Sequence, residues 1–413
     1  MKQTRIKGKY LYSPETELIE DFLLLIEGNI IASVERMKGI SSTADIDIGN
    51  SILIPGLINA HTHLELTGYR GKIRQRSSFP RWIEDIVSLK AATSRESYLA
   101  SVSEGLQEGI KGGCTFFADI SNSFESLNPF IQSGARGVIF YEAIGFGDKN
   151  TDSICRRIEE MLDEHNKLNS ENVAAGISPH SPYSVSETLF KNCNSKALDK
   201  KLSMQIHLAE SENEIEFLKS GRGPFFSLLS FFGQISEEWS PPGVGPVEYM
   251  KKLGLLRQNV SFVHLNNYSS SDMELLTSAG SSVVICPCSN NNWFGRDKSP
   301  ITDALKAGVN IAIGTDSCAS NSGINMFNEL KMLRKLLPSI SAHEAIKIAT
   351  LNGAQCFGLS GKLGRIAPGY LADMISVPVN STIKLKDVCE YVLMESQKVN
   401  FSMVNGEMIY FQF

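Results

Sequence analysis

Eight short, nearly continuous apolar runs, separated by longer amphipathic stretches, predict an α/β fold: a (β/α)8 TIM barrel. β-type runs confined to the two chain ends predict, in addition, a small β-sandwich domain formed from both ends, since termini usually lie close together. The 413 residues fit this division, because a barrel takes about 250 residues and leaves enough for a small partner. An open doubly wound sheet is the alternative arrangement of the same runs.

The first part of the sandwich is expected over 1–55. Its β-type runs, 10–12, 22–26 and 30–34, are cut by the turn formers Pro14, Gly28-Asn29 and Gly39. The barrel is expected over 56–364, with strands at 52–60, 114–120, 137–144, 173–178, 203–208, 260–264, 282–286 and 309–315, the first run spanning the junction. Helical periodicity fills the gaps at 98–110, 154–168 and 272–279, and continues at 326–336 and 342–352. Gly361, Gly364 and Pro368-Gly369 then punctuate a return to strand-like sequence at 374–377 and 403–411, the second part of the sandwich over 365–413. The connection over 209–259 is far longer than a barrel loop needs. It is read either as a lid or, through the apolar cluster 225–232, as an oligomer contact.

Composition removes several classes of partner. Forty basic against 45 acidic residues give a net charge of −5, without the basic footprint that nucleic acid requires. The basic N-terminus is not followed by a signal-peptide core, and the apolar stretch nearest it, 22–26, is far short of the roughly 20 residues that span a bilayer. Eight scattered cysteines read as reduced, packed thiols. The expectation is a cytoplasmic protein with a small-molecule substrate and no nucleic-acid or membrane partner, as a monomer or a homodimer.

Only seven histidines occur, and their placement is informative. His61 and His63 close the first run in NAHTHLE, and as residues i and i+2 of a strand they share a face. His180 follows the fourth run, His207 ends the fifth, His264 ends the sixth and Asp316 ends the eighth. All thus collect at the carboxyl end of the strands, where barrel enzymes keep their active sites. Buried imidazoles and a carboxylate converging on one point are costly to desolvate unless they bind a cation. A ligand set without thiolates suits one divalent ion, zinc first, with iron or manganese as competitors. His165 and His343 sit among charged neighbours in helical stretches and are read as surface residues.

In order along nearly the whole chain, the HTH after PGLINA, the H-x-x-E string His207 to Glu210, the sixth-run histidine, GTD and the tail GKLGRIAPGYLAD resemble the amidohydrolase superfamily. The likeness is to its branch of cytosine deaminase, triazine hydrolases and S-adenosylhomocysteine/methylthioadenosine deaminases. It implies a mononuclear site of His61, His63, His207 and Asp316. The fourth run has no lysine to carbamylate, which argues against a binuclear site. Asp316 and His264 are implied to orient and deprotonate the nucleophilic water, and Glu210 to carry a proton between ring nitrogen and departing ammonia, as general acids and bases do. A helix N-terminal acid is the alternative for Glu210. The resemblance also gives His180 to the substrate.

The remaining substrate-binding candidates are Glu65, one strand step beyond His63 or else paired with Arg70; Trp82, as an aromatic wall or a core residue; Asn290, in the loop closing the seventh strand; and Arg222, in the long insertion, facing an anionic group or solvent. Cys286 and Cys288 are read as loop residues rather than ligands, because Cys-Pro-x-Ser-Asn is typical of the branch. HTHLEL, the GRGPF insertion and CPCSN look most like the aminodeoxyfutalosine deaminase group. The expected function is metal-dependent hydrolytic deamination of an aminopurine nucleoside derivative, with 6-amino-6-deoxyfutalosine, of menaquinone biosynthesis, as the specific substrate. S-adenosylhomocysteine or methylthioadenosine is the alternative, followed by another cyclic amide, a guanidine or a chlorotriazine, and last a degenerate scaffold without activity.

Overall fold

The computed structural model describes residues 2–37, 43–74, 78–296 and 299–412; the turn expected at Gly39 lies outside them. Sixteen strands among the described residues form two sheets.

Eight parallel strands, each hydrogen-bonded to the next in sequence, make the barrel: β6 (Leu57–Thr62), β7 (Cys114–Ser121), β8 (Arg136–Ala143), β9 (Val173–Pro179), β10 (Ser203–Leu208), β11 (Val260–His264), β12 (Ser282–Ile285) and β13 (Asn310–Ile313). The ends of the sheet meet through a parallel bridge between Thr62 and Asp316, with Asp316 N donating to His61 O at 3.1 Å. Asn59 clasps the same seam, accepting from Thr315 N at 3.0 Å and donating to Thr315 Oγ1 at 2.8 Å. Gly314 permits this closeness, because a Cβ there would stand 2.6 Å from His61 O and 2.7 Å from His61 N. Inside, Ile58, Ala60, Phe116, Ala118, Phe140, Val263, Val284 and Ala312 fill the barrel. The interior is a packed core, and chemistry is left to one rim.

The second sheet takes its strands from both chain ends: β1 (Gln3–Leu11), β2 (Ile19–Glu27), β3 (Ile30–Arg36), β4 (Ile46–Asp47), β5 (Ser51–Pro55), β14 (Met374–Pro378), β15 (Phe401–Val404) and β16 (Glu407–Phe411). The order is β16-β15-β14-β5-β1-β2-β3, with β4 beside β1. The first apolar run therefore divides at Gly56, giving β5 to this sheet and β6 to the barrel. A buried pair joins the two bodies, Arg136 Nε donating to Asp373 Oδ2 at 2.6 Å and its Nη2 to Oδ1 at 3.1 Å.

Three expectations need correction. The run 403–411 is a hairpin, because Asn405 and Gly406, both with positive φ, turn the chain in the manner Asn-Gly favours. The helix expected over 342–352 is two, Ala342–Ile348 and Leu351–Cys356, with Ala349 O accepting from Ile58 N of the barrel. His165 is buried: in the helix Thr151–Leu168 it continues the inward face of Ile158, Met161 and Leu162. Its ring nitrogens lie 2.9 Å from Tyr141 Oη and 3.0 Å from Val173 O. His343 is exposed, with Nδ1 2.8 Å from Tyr12 Oη.

Candidate metal centre

His61 lies near the end of β6 and His63 just past it, His207 lies near the end of β10, and one ring nitrogen of each lies within 4.8 Å of those of the others. The proton on each ring is fixed from behind. Gln205 Nε2 donates to Ala60 O (2.9 Å) and Ser261 Oγ (3.1 Å), so its Oε1, 2.6 Å from His61 Nδ1, accepts. His61 thus keeps its lone pair on Nε2, a buried atom without a hydrogen-bond partner. His207 Nδ1 donates to His180 O at 3.1 Å, which leaves its Nε2 as a lone pair 3.3 Å from His63 Nε2. Asp316 Oδ1 is 3.8 Å from the Nε2 atoms of both His61 and His63. Its carboxylate also accepts from Ser289 Oγ (2.6 Å), Ser320 Oγ (3.1 Å) and Ser317 N (2.7 Å).

Electrostatics suit a cation. Burial, reinforced by His61, lowers the His63 imidazole to about 3, and burial with four neighbouring histidines holds His207 well below the ordinary value. Burial alone would raise Asp316, but the imidazoles of His61, His264 and His63 packed around it hold it well below the carboxylate range. Neutral imidazoles aiming lone pairs beside a carboxylate repel one another unless a positive ion joins them. Imidazole nitrogens and one carboxylate oxygen therefore fit a divalent metal. Ala209, His264, Leu265 and Asp316 all have positive φ, so the strand ends that carry the cluster are held in backbone that side chains rarely adopt.

Glu210 follows β10 at the edge of the cluster. Its Oε1 accepts from Arg296 Nη1 at 3.0 Å, and its Oε2 is 3.8 Å from His264 Nε2. The helix Glu212–Ser220 begins after it, and the part of N-terminal acid falls to Glu214, whose carboxylate accepts from Ala209 N (2.8 Å) and Glu210 N (2.9 Å). Burial raises Glu214 to about 8. His180, its ring 4.5 Å from that of His207, donates from Nδ1 to Glu142 Oε1 at 2.7 Å. Fully buried Glu142 also lies 3.8 Å from Lys90 Nζ.

The other candidates separate. Trp82 lies in a wall with Phe79 (stacked, 5.8 Å) and Phe294 (edge-on, 5.2 Å), on the helix Phe79–Ala92. Asn290 Oδ1 accepts from Arg296 Nη1 (3.0 Å) and Asn266 Nδ2 (3.2 Å). Glu65 does not continue the strand: β6 ends at Thr62, and Glu65 sits in the 3-10 turn Leu64–Tyr69. Its carboxylate accepts from Ser121 Oγ (2.6 Å) and Asn122 N (3.2 Å), while Arg70 pairs with Glu108. Arg222 is exposed between the helices Glu212–Ser220 and Pro224–Phe231. Arg296, from the loop after the seventh barrel strand, reaches Glu210 instead. Cys288 N donates to Glu329 Oε2 at 2.9 Å, as loop structure, and all eight cysteines are free. In the insertion, Phe225 stacks on Tyr183 at 3.9 Å and meets Phe79 edge-on at 6.2 Å, whereas Phe231 and Phe232 are exposed.

Gln205, Glu142, Glu214 and Arg296 were not singled out in the sequence. The first two had a signal: a polar residue inside an apolar run must have a buried partner. Glu214 had the local signal of an acid in a helix's first turn, whereas Arg296 had none, because its role depends on loops meeting.

A barrel with a histidine and aspartate cluster at its carboxyl rim defines a metal-dependent hydrolase. The pattern of the amidohydrolase family matches residues 52–409, and the chain belongs to that family. It is 29% identical to the 5-methylthioadenosine/S-adenosylhomocysteine deaminase of Pyrococcus furiosus, over 97% of this chain and 93% of that one. Among solved structures, a zinc-bound adenosine deaminase from Xanthomonas campestris superposes with a TM-score of 0.84 at 23% identity, covering 99% of this chain and 93% of that one. Helicobacter pylori aminofutalosine deaminase superposes with 0.84 at 20% identity, covering 98% and 100%. Among the described residues no helix is long and apolar enough to cross a membrane.

Proposed function

We propose that the protein is a metal-dependent hydrolytic deaminase of an adenine-nucleoside derivative, releasing ammonia. The observation that carries this reading is the position of Glu210, an acid at the rim of the ligand cluster, 3.8 Å from His264 and tied to Arg296. The family membership and the adenine-nucleoside deaminase named in P. furiosus support it.

His61, His63, His207 and Asp316 hold the metal in this reading, with zinc favoured by a donor set of imidazole and carboxylate. When bound, such an ion makes water a nucleophile at neutral pH. The chain's own groups do the rest. Asp316 and His264 stand where they would orient the attacking water and take up its proton. Glu210 passes a proton to the ring nitrogen beside the attacked carbon and then to the departing amine. His180, its Nδ1 committed to Glu142, turns Nε2 toward the substrate, and Trp82 forms part of the apolar wall.

The specific substrate we favour is 6-amino-6-deoxyfutalosine, on the strength of HTHLEL, the GRGPF insertion and CPCSN. S-adenosylhomocysteine and methylthioadenosine follow, supported by the P. furiosus relative. Purified, metal-loaded protein offered all three compounds should release ammonia from at least one, with the absorbance change of 6-amino loss. No ammonia from any of them refutes the reading. Turnover of a cyclic amide or a chlorotriazine without ammonia would move the protein to another branch of the family.

A further inference from the structure

Arg296 uses only part of its guanidinium. Nη1 donates to Glu210 Oε1 and Asn290 Oδ1, both at 3.0 Å. The plane lies over two rings, Phe294 with its centroid at 4.4 Å and Phe79 at 4.9 Å. Nη2 is buried and, among the described residues, meets no acceptor. A buried charged donor without an acceptor is costly, and such atoms concentrate where a ligand supplies the partner. Trp82 Nε1 is a second buried donor without an acceptor, on the same aromatic wall.

The terminal nitrogens of a guanidinium are held side by side in a rigid planar fork. Whatever Nη2 binds must therefore lie beside the Glu210 carboxylate that Nη1 holds. A distant substituent of the substrate does not meet that condition, and the reacting ring does. In an aminopurine, the ring nitrogen next to the amino carbon shares its edge with a second acceptor nitrogen one carbon further on, the N1 and N3 of adenine.

We propose that Arg296 is the specificity-determining residue for the heterocycle, Nη2 donating to the N3-type nitrogen of the ring whose N1-type nitrogen Glu210 meets. The assignment rests on the deaminase reading above and on the role given there to Glu210. Attack at the amino carbon moves electron density onto both ring nitrogens, so this hydrogen bond strengthens as the reaction proceeds. A ring lacking the second nitrogen leaves the donor unpaired, the situation in which sites discriminate most strongly.

The test uses the metal-loaded full chain as wild type, Arg296→Met and Arg296→Lys. The substrates are the adenine nucleoside that the wild type deaminates fastest and its 3-deaza counterpart. The readout is the ratio of kcat/KM between the two, with affinities for both compounds measured in a Glu210→Gln background. Arg296→Met should lose roughly 100-fold more on the parent than on the 3-deaza compound, so that the ratio collapses. Arg296→Lys, which keeps the charge but not the fork, should lie between. Metal content and thermal unfolding check that each variant is folded; if Arg296→Met is not, Arg296→Lys decides.

Equal losses on both compounds overturn the proposal, since a residue that only braces Glu210 cannot tell them apart. Loss confined to substrates with a carboxylate tail also overturns it, moving Arg296 to that tail. A wild type that deaminates adenine nucleosides with a ratio unchanged in the variants removes Arg296 alone. A wild type that deaminates none removes the deaminase reading together with the ring assignment.

Discussion

Replacing Gln205 by Met tests how the metal centre is built from behind. Gln205 makes three buried contacts, accepting from His61 Nδ1 at 2.6 Å and donating to Ala60 O at 2.9 Å and Ser261 Oγ at 3.1 Å. The last two orient the amide and the first sets the tautomer of His61. Met fills a similar volume but offers His61 no acceptor, so the ring is free to place its proton on Nε2, the atom that must be a lone pair. Losing such a partner of a metal-bound histidine costs about 10- to 100-fold in affinity, or roughly 1.4–2.8 kcal/mol. That matches the loss of one or two buried hydrogen bonds at about 1 kcal/mol each. The assay is competition for zinc against a chromophoric chelator at fixed pH, run on wild type, Gln205→Met and Gln205→Glu. A glutamate at 205 still accepts from Nδ1 although it loses the donor to Ala60 O, so Gln205→Glu should bind zinc more tightly than Gln205→Met. Affinity of Gln205→Met within twofold of wild type would refute the reasoning. So would equal weakness of both variants, since the tautomer would then be irrelevant.

Three further outcomes are expected. Glu210→Gln should reduce kcat by about 100- to 10,000-fold while bound metal stays the same, checked by steady-state kinetics alongside metal analysis. Removing the metal with a chelator should abolish turnover and lower the unfolding temperature, with both restored by adding zinc, iron(II) or manganese; activity that survives complete removal contradicts the site. Burial raises Glu214 to about 8, above the ordinary 4.5, so the folded chain binds its proton more tightly than the unfolded chain. Its contribution is fully present below pH 4.5 and is lost as pH rises through 8, an effect on the order of a few kcal/mol. Denaturation of Glu214→Gln across that window should show a flatter dependence on pH than wild type, and an identical slope would place the titration elsewhere.

Much of the fold was legible because it is written locally. A strand buried on both faces must be apolar along its length, so eight runs announce eight strands, and the residues that end them fall on one rim. Where reading failed, the deciding contact came from a distant segment. Glu65 was placed by continuing the period of two past His63, but β6 ends at Thr62 and the chain turns, giving Glu65 to Ser121 and Asn122. The burial of His165 was readable, since 158, 161, 162 and 165 share one face of a helix, and charged neighbours obscured it. The Asn405-Gly406 turn is likewise written locally, in a dipeptide that favours hairpins.

By itself the sequence determined the architecture and the convergence of His61, His63, His207, His264 and Asp316, because strand periodicity and strand ends suffice to say which face and which rim a residue occupies. Tertiary structure alone decided the partners: Gln205 behind His61, Glu142 behind His180, and Arg296 against Glu210. Those pairings join loops and strands up to 144 residues apart, as His61 and Gln205 are. Loop paths depend on what they pack against, and no local period encodes that.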